Sequence, residues 1–258
     1  MKIVMVGPVY PYKGGIAHYM GMMCKTFAKK HEVIALSYKM QYPKFMYKKE
    51  QKDYESDTFK VDGTNYCINT ANPFNWVHVA KKINKLSPDL VVFQWWHPYF
   101  APCYQIICSL LKTKEILFVC HNVFPHERFP MDRLLTQATL KKGKYYIVHS
   151  KLDEVDLLSV KKDARYKKAV IPTYNVFNKS QLEKDDARKI LNVAQNEFVL
   201  LFFGLIREYK GLKYLLKALS IIKNKIPNVK LYIVGDFGGE KDHYLKICLL
   251  YTSPSPRD

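Results

Sequence analysis

The sequence predicts an α/β protein built on doubly wound parallel sheets. Short apolar runs of strand length alternate with amphipathic stretches of helical spacing along most of the chain. This alternation is typical of strand–helix–strand units, which place parallel strands in one sheet with helices on both faces. Two of the apolar runs lead directly into a glycine turn or a histidine, at the strand ends where such sheets bind ligands.

Residues 1–175 are predicted to form one complete Rossmann-like domain. Its strands are expected at residues 3–6, 33–36, 90–93, 116–120 and 145–148, with another near residues 169–171. Its helices are expected at residues 16–29, 74–86, 101–111, 131–141 and 151–160. Residues 38–60, rich in lysine, tyrosine and methionine, are expected to form an irregular insertion on the surface.

A second domain is expected after a linker. Residues 176–197 combine an exit from the first sheet with a charged helix at residues 180–191. Residues 198–247 then supply a strand, a helix, a strand and the start of a helix, at residues 199–203, 211–225, 230–234 and 241–247. Two strands are too few to close a sheet, so we expect this domain to be incomplete.

Residues 248–258, CLLYTSPSPRD, differ in composition from the rest of the chain. They break the helical pattern and resemble the translated sequence of a transposase adapter used in preparing sequencing libraries. A genuine disordered tail rich in proline and serine is the alternative. The resemblance implies that the tail is not native and that the natural protein continues beyond Ile247.

The strongest feature of the composition is a net charge of +18, with a pI of about 9.5. This excess favours an acidic partner such as nucleic acid, anionic lipid headgroups or a phosphorylated substrate. The lysines are spread along the chain, and no helix-turn-helix, zinc or RNP pattern is present. We therefore favour an anionic membrane surface over nucleic acid, although a lysine-rich proteome would explain part of the excess.

Cysteine spacing and hydropathy limit the possible classes further. The six cysteines form no CxxC pair, so neither a zinc site nor a disulfide framework is indicated. The most apolar region, residues 90–111, is interrupted by Gln94, His97 and two prolines, and it is not expected to span a membrane. We expect a cytoplasmic protein, without a signal peptide, that contacts the inner face of the membrane peripherally.

Residues 200–219, LLFFGLIREYKGLKYLLKAL, carry the strongest indication of function. An apolar strand ends at Gly204, and Arg207 and Lys210 follow in a short loop before an amphipathic helix. Helix N-terminal amides and fixed positive charge both favour an anion, so this turn suits a diphosphate. A solvated cationic turn between a core strand and a surface helix is the alternative.

The string GLIREYKGL in this segment resembles the donor-diphosphate loop of family 4 glycosyltransferases, which have the two-domain GT-B fold. The resemblance implies that Arg207 and Lys210 clamp the pyrophosphate of a UDP- or GDP-sugar, with no cofactor or protein-bound metal. Residues 231–242 resemble the next strand and loop of the family, which approach the nucleotide. The likeness covers nearly all of residues 1–247, about two-thirds of a typical member. The paired-glutamate motif that grips the donor sugar in that family is absent.

The loop after the first predicted strand, in GPVYPYKGGIAHYM at residues 7–20, is a second candidate site. Gly14 and Gly15 would let a ligand approach the backbone closely, and the positive end of the next helix points at that position. Glycine pairs also serve packing alone, which is the alternative. The loop resembles the family's Arg-Gly-Gly loop, which faces the donor phosphates and the acceptor, with Lys13 replacing the arginine and losing its bidentate geometry.

A third candidate is FVCHNVFPHERFP, residues 118–130, in which His121 directly follows a strand. The stretch HNVFPHE resembles a loop of some family members whose first histidine lies beside the transferred sugar. The resemblance assigns that catalytic position to His121 and makes Asn122, His126 and Glu127 possible sugar or acceptor contacts. A structural hydrogen-bonding role for His121 is the alternative. A metal site formed by His121, His126 and Glu127 is conceivable from ligand type alone.

The aromatic stretch FQWWHPYF, residues 93–100, follows another predicted strand. Its rings suit stacking on a sugar or on a lipid-linked acceptor, with Trp95 and His97 as the candidate contacts. A small core beneath the neighbouring helix is an equally good explanation of these aromatic residues.

Together these resemblances imply a retaining glycosyltransferase. It would move a sugar from a nucleotide-diphosphate sugar to a saccharide or polyprenyl-linked acceptor in cell-surface polysaccharide synthesis, and the present chain is expected to be inactive. A GT-B sugar-nucleotide epimerase or a phosphorylase is the alternative within the fold. A basic nucleic-acid-binding protein is the alternative from another class.

Overall fold

The computed structural model describes residues 1–47, 50–55, 57–174, 182–235, 237, 244 and 246. The chain divides into two compact units, residues 1–176 and 177–258. The tail at residues 248–258 and most of the helix predicted at residues 241–247 lie outside the described residues. The same is true of most of the loop predicted to approach the nucleotide after Gly235.

The first unit is a seven-stranded parallel sheet with helices on both faces. Its elements are β1 (Lys2–Val6), α1 (Gly15–Ala28), β2 (Glu32–Met40), β3 (Asn65–Asn69), α2 (Pro73–Leu86), β4 (Leu90–Trp95), α3 (Ala101–Leu110), β5 (Ile116–Cys120), α4 (Asp132–Leu140), β6 (Tyr145–Val148), α5 (Lys151–Val160) and β7 (Arg165–Lys168). The strand order is β3-β2-β1-β4-β5-β6-β7, and every neighbouring pair is parallel. The predicted doubly wound sheet is confirmed, and its order reverses between β1 and β4, the position where ligands bind in such folds.

Alternate residues of the central strands build two cores. Val4 and Val6 of β1 pack in the core that also contains residues of α2 and α3, whereas Ile3 and Met5 pack in the core beneath α1. This division follows from the two-residue period of a strand, which sends successive side chains to opposite faces. The parity of a residue at the end of a strand therefore decides which face it lies on.

Two expectations for the first unit are wrong. The last strand is Arg165–Lys168, four residues earlier than predicted, and all four of its residues are exposed. An edge strand needs no apolar pattern, and the apolar residues Val170 and Ile171 that suggested a strand are themselves exposed. The expected surface insertion also begins later than residue 38, because β2 continues to Met40 and Tyr38 is fully buried.

The second unit is a short α/β segment. It contains α6 (Lys184–Ile190), β8 (Phe198–Phe203), α7 (Leu212–Lys225) and β9 (Val229–Val234), with β8 and β9 parallel. The helix predicted at residues 180–191 therefore begins later than expected. Leu212 and Leu216 of α7 pack against one side of the two strands. Leu201 and Phe203 of β8 remain 64% and 76% exposed, so the described residues leave much of the strand uncovered.

The described helices are short, and the described thiols are unpaired. The longest described helices, α1, α2 and α7, have 14 residues each, and none of the described helices has the length and hydropathy needed to cross a bilayer. The cysteines for which a state is described are unpaired. Burial raises the pKa of the Cys24 thiol to about 12, and it raises the thiol pKa of the fully buried Cys108 and Cys120 as well. Such thiols stay protonated and are poor nucleophiles.

Candidate functional site

Three polar side chains meet at the carboxyl edge of the first sheet, on the face covered by α1. Gln94 belongs to the end of β4, His121 follows β5 and His149 follows β6. The residue two positions before each of them packs in the core beneath α1. Because residues two apart in a strand lie on the same face, all three side chains lie on that side. Tyr19 of α1 completes the group, with its ring centroid 5.0 Å from that of His121 and 5.2 Å from that of His149.

Hydrogen bonds fix the imidazoles of this edge cluster, formed by Tyr19, Gln94, His121 and His149. His121 Nε2 lies 2.8 Å from Gln94 Oε1. Because an amide oxygen only accepts, Nε2 donates and Nδ1 is left as an acceptor. His149 Nδ1 likewise donates to the Ala169 carbonyl at 2.8 Å, which makes its Nε2 an acceptor.

Two polar atoms of the edge cluster have no partner among the described residues. These are Gln94 Nε2, a donor, and His149 Nε2, an acceptor, and both are buried. Buried polar atoms are nearly always paired with protein, water or a ligand. Together with His121 Nδ1, the cluster therefore offers a mixed set of donors and acceptors that suits the hydroxyl groups of a sugar.

Two members of the cluster, His121 and Tyr19, are held in their neutral forms near pH 7. Burial, together with a smaller effect of the neighbouring His149, lowers the pKa of His121 to about 3. Burial also raises the pKa of the Tyr19 hydroxyl. A neutral imidazole can orient a hydroxyl by hydrogen bonding, but with this pKa His121 does not hold a second proton at neutral pH.

The loop between β1 and α1 keeps the features expected of an anion site. Gly14 has a φ of +104°, which only glycine adopts readily. A methyl group added at Gly14 or Gly15 would meet no other atom within 4 Å, so close packing does not explain the pair. The helix α1 starts at Gly15 with no side-chain cap and no acidic residue in its first turn. Lys13 is exposed, and its amide donates to the Gln51 carbonyl at 3.0 Å.

The prediction that Trp95 contacts a sugar or an acceptor is wrong. Its side chain is fully buried, and its indole Nε1 donates to the Val123 carbonyl at 3.1 Å. The strand β4 extends two residues beyond its predicted end. Because successive side chains of a strand lie on opposite faces, Trp95 packs in the core on the α2 and α3 side. The small-core explanation therefore holds for this residue.

His97 has a structural role that the sequence did not indicate. Its Nδ1 accepts a hydrogen bond from the Tyr99 amide at 3.1 Å and caps the short helix Pro98–Phe100. Its ring stacks on Phe129 with a centroid separation of 5.7 Å. Burial lowers its pKa, so it too is neutral at pH 7. A contact with an acceptor stays a prediction for His97.

The loop after β5 does not assemble into a metal site. His121 and Asn122 are half-buried, whereas His126 and Glu127 are exposed. Across the described residues, no three His, Cys, Asp or Glu side chains lie close enough to hold a metal ion. The Val123 amide, which donates to Asp153 Oδ1 at 3.1 Å, anchors the start of the loop to α5. Sugar or acceptor contacts by Asn122, His126 and Glu127 stay predictions.

In the second unit, residues 204–211 link β8 to α7. Arg207 precedes the single turn Glu208–Lys210, in which the Lys210 amide donates to the Arg207 carbonyl at 3.0 Å. Arg207 is half-buried and Lys210 is exposed. The helix α7 then begins at Leu212 with no side-chain cap and no acidic residue in its first turn. Two cations and an uncapped helix N-terminus thus lie in one loop, which suits a diphosphate.

Close backbone contact holds this loop in place. The Gly204 amide donates to the Val234 carbonyl at 2.9 Å, where β8 and β9 end side by side. A methyl group added at Gly235 would lie 1.9 Å from the Gly204 carbonyl oxygen. Gly204 itself has a φ of +115°, and a methyl group added to it would meet no neighbouring atom within 4 Å. The first glycine therefore turns the chain, and the second lets the two backbones touch.

Sequence reasoning missed three members of the edge cluster. His149 follows a strand just as His121 does, so the pattern that identified one histidine would also have identified the other. Gln94 could have been found by parity, because it shares its face with apolar residues beneath α1. Tyr19 lies within a correctly predicted helix, and nothing in the local pattern marks it.

Comparison with known families places part of the chain. Residues 183–250 match the model of a family described as Glycosyl transferases group 1. An uncharacterized glycosyltransferase of Methanocaldococcus jannaschii, MJ1059, is 27% identical over a match that covers 61% of this chain and 42% of the relative. The chain thus spans about two-fifths of the length of that curated relative.

Solved structures share the fold. Anabaena Alr3699/HepE in complex with UDP-glucose has a TM-score of 0.69 at 15% identity, over 97% of this chain and 65% of the Anabaena chain. UDP-GlcNAc 2-epimerase from Neisseria meningitidis, bound to UDP-GlcNAc, has a TM-score of 0.54 at 12% identity, over 98% and 70% of the two chains. At these identities the likeness concerns the fold, and it confirms the predicted GT-B type of α/β architecture.

Proposed function

Because residues 183–250 match the model of the group 1 glycosyl transferases, we propose that the whole protein transfers a sugar from a nucleotide-diphosphate sugar to a saccharide or lipid-linked acceptor. The observation that carries the proposal is the loop at residues 204–211, with Arg207, Lys210 and the uncapped start of α7. The HepE structure, whose fold this chain shares, holds UDP-glucose. Both points support a donor with a diphosphate group.

The proposed reaction breaks the bond between the sugar's C1 and the diphosphate and forms a bond from C1 to an acceptor oxygen. Negative charge grows on the leaving diphosphate, and Arg207 and Lys210 would stabilise it where it develops. In the first unit, the amides of Gly14 and Gly15 stay candidates for a phosphate contact of their own. No enzyme nucleophile is required if the acceptor approaches the face that the diphosphate leaves and passes its proton to the departing phosphate, which retains the configuration.

The edge cluster would position the transferred sugar. His121 is neutral at pH 7, so its proposed role is to hydrogen-bond a sugar hydroxyl and not to carry a proton. The unpaired atoms of Gln94 and His149 would contact further hydroxyl groups. This role is consistent with the place of the cluster at the carboxyl edge of the sheet, next to the reversal of strand order between β1 and β4.

We further propose a cytoplasmic protein at the inner face of the membrane that acts in cell-surface polysaccharide synthesis. The net charge of +18 supports attraction to anionic lipid headgroups. The donor is proposed to carry uridine or guanosine, and neither a cofactor nor a protein-bound metal is assigned.

A sugar-nucleotide 2-epimerase is the second candidate, because such enzymes share this fold at TM-scores near 0.54. The family match favours transfer. The two activities separate cleanly: an epimerase converts the UDP-sugar with no acceptor present, whereas a transferase releases the nucleoside diphosphate only as the acceptor is glycosylated.

Calorimetric titration of UDP and of inorganic diphosphate into the chain tests the donor site. We expect Arg207→Ala and Lys210→Ala each to weaken UDP binding by at least tenfold, on the scale of a lost charge-assisted contact. Lys217→Ala, an exposed lysine of α7 outside the loop, is the matched control and should bind UDP like the unchanged chain. Equal affinity in all four proteins would assign the loop a structural role only.

A further inference from the structure

Residues 43–47 of the first unit separate two neighbouring cavities of opposite character. Pro43, Phe45 and Met46 line one cavity, and Lys44 and Tyr47 line the other. One short segment therefore presents an apolar surface to one side and a basic, aromatic surface to the other.

The basic cavity, called here the cationic pocket, has a volume of about 460 Å³. Three lysines and three tyrosines line it: Lys39, Lys44, Lys52, Tyr12, Tyr42 and Tyr47. Glu50 is the one acidic residue among its described lining residues. The Lys52 ammonium lies 5.4 Å from the centroid of the Tyr12 ring. This excess of positive charge in a concave surface suits an anionic group.

The other cavity, called here the apolar groove, has a volume of about 610 Å³. None of its described lining residues carries a formal charge at pH 7, and they include Phe45, Met46, Trp76, Tyr99, Phe129 and Leu135. Phe45 and Met46 are 79% and 52% exposed at its rim. Its volume falls within the roughly 300–1,000 Å³ range of single-molecule sites, and exposed apolar rims mark surfaces that bind apolar ligands.

The cationic pocket adjoins the loop that carries Gly14 and Gly15. Tyr12 lines the pocket and pairs with Lys52 in an antiparallel bridge. The next residue, Lys13, donates its amide to the Gln51 carbonyl at 3.0 Å. The pocket is thus tied by backbone bonds to the loop proposed to face the acceptor.

We propose that the pocket and the groove form one site for an anionic lipid, with its phosphate or diphosphate headgroup in the cationic pocket and its hydrocarbon chain in the apolar groove. Resting on the proposed function, the lipid is the carrier of the acceptor, which places the acceptor's reactive end toward the loop at Gly14 and Gly15. The charge of the pocket matches the headgroup, and the apolar lining of the groove matches the chain.

Tryptophan fluorescence tests this site directly, because Trp76 lines the groove. The chain is titrated with farnesyl diphosphate, with inorganic diphosphate and with farnesol, which carries the same hydrocarbon without charge. We expect saturable binding of farnesyl diphosphate at least tenfold tighter than that of either fragment. Inorganic diphosphate binding as tightly as farnesyl diphosphate would reduce the site to a free-phosphate site and overturn the proposal.

Two double variants separate the two parts of the site. Phe45→Ser with Met46→Ser should weaken farnesyl diphosphate at least tenfold and leave inorganic diphosphate unchanged. Lys39→Glu with Lys44→Glu should weaken farnesyl diphosphate at least tenfold and leave farnesol unchanged. Leu152→Ser and the pair Lys30→Glu with Lys141→Glu, all exposed positions of the first unit that do not line either cavity, are the matched controls.

Thermal melting followed by circular dichroism confirms that each variant is folded. Unchanged farnesyl diphosphate affinity in folded double variants overturns the proposal. So does binding to phosphatidylglycerol vesicles without binding to monomeric farnesyl diphosphate, which would indicate a bilayer contact. UDP titration is run in parallel: loss of UDP binding alone removes the proposed function and leaves the lipid site, whereas loss of lipid binding alone does the reverse.

Discussion

His121 Nε2 and Gln94 Oε1 lie 2.8 Å apart, joining the end of β5 to a fully buried amide of the neighbouring strand β4. The contact fixes the tautomer of the imidazole and makes its Nδ1 an acceptor. It also explains why a glutamine can occupy the interior of an otherwise apolar strand. The pair therefore links the packing of the sheet to the chemistry of its edge.

The first prediction is that His121 lowers the free energy of unfolding as the pH decreases below about 6.5, its ordinary pKa. Its pKa is lowered to about 3 from an ordinary value near 6.5, so the unfolded chain takes up the proton first. The stabilisation is complete above pH 6.5 and is lost as the pH falls toward 3, at up to about 1.4 kcal/mol per pH unit. Urea unfolding at pH 7, 6 and 5 measures the slope.

The comparison that isolates His121 is His121→Gln, which should unfold with a shallower pH slope. His18 and His97, whose pKa values are also lowered by burial, contribute equally to both proteins. Keeping the pH above 4.5 avoids carboxyl groups with lowered pKa values, such as Glu154. His78→Gln, at an exposed position of α2, is the control and should keep the slope of the unchanged chain. Parallel slopes for all three proteins would contradict the prediction.

Much of the fold follows from local sequence, because caps and periodicity act over a few residues. The helix predicted at residues 151–160 is found there, since the Ser150 hydroxyl accepts from the Asp153 amide at 3.0 Å and fixes its start. The strand β7 was predicted four residues too late, because an edge strand is defined mainly by its backbone pairing with β6. Its exposed residues carry no apolar pattern that could indicate it.

The candidate site was predictable in part. The histidine at the end of β5 stood out because it follows an apolar strand, yet its partners depend on register and parity. Those properties place Gln94 and His149 on its face and send Trp95 into the opposite core. The approach of Tyr19 depends on how α1 packs over the sheet, which no local pattern specifies.

The second prediction concerns the two glycines at the ends of β8 and β9. Gly204→Ala should destabilise the second unit by roughly 1–2 kcal/mol, the cost of a positive φ for a residue with a Cβ. Gly235→Ala should cost at least about 3 kcal/mol, because its methyl group would overlap the Gly204 carbonyl oxygen as well. Denaturant unfolding of each variant measures both values.

Gly15→Ala is the matched control for these glycine substitutions. Gly15 lies in the first turn of α1 with a helical backbone and open space at its Cβ position, so its replacement should change stability by no more than about 0.5 kcal/mol. A Gly235→Ala variant no less stable than Gly15→Ala would show that β8 and β9 do not meet as described.

The third prediction concerns the loop at residues 204–211 and is tested in the whole protein, for which sugar transfer is proposed. Arg207→Ala and Lys210→Ala should each lower kcat/KM by an amount equal to about 2–4 kcal/mol, the scale for removing one group that stabilises developing charge. Arg207→Lys keeps the charge without the bidentate geometry, so its kcat/KM should lie between that of the unchanged protein and that of Arg207→Ala. Steady-state kinetics with a nucleotide-sugar donor checks the order, and unchanged kcat/KM in both alanine variants would contradict it.

The last prediction separates the two roles left open for His121. If the neutral imidazole hydrogen-bonds the sugar as its bond to the diphosphate breaks, His121→Ala should lower kcat strongly and leave nucleotide affinity nearly intact. If it serves only to pair with Gln94, the variant should melt at a lower temperature and keep its turnover per folded molecule, because a buried amide then loses its partner. Both quantities are measured on one preparation.

Gln94→Leu is the companion variant, since it removes the pairing and keeps the imidazole. A destabilised His121→Ala that turns over at the normal rate would assign the residue to the scaffold, and the sugar contact would pass to His149, whose Nε2 is already without a partner in the described structure.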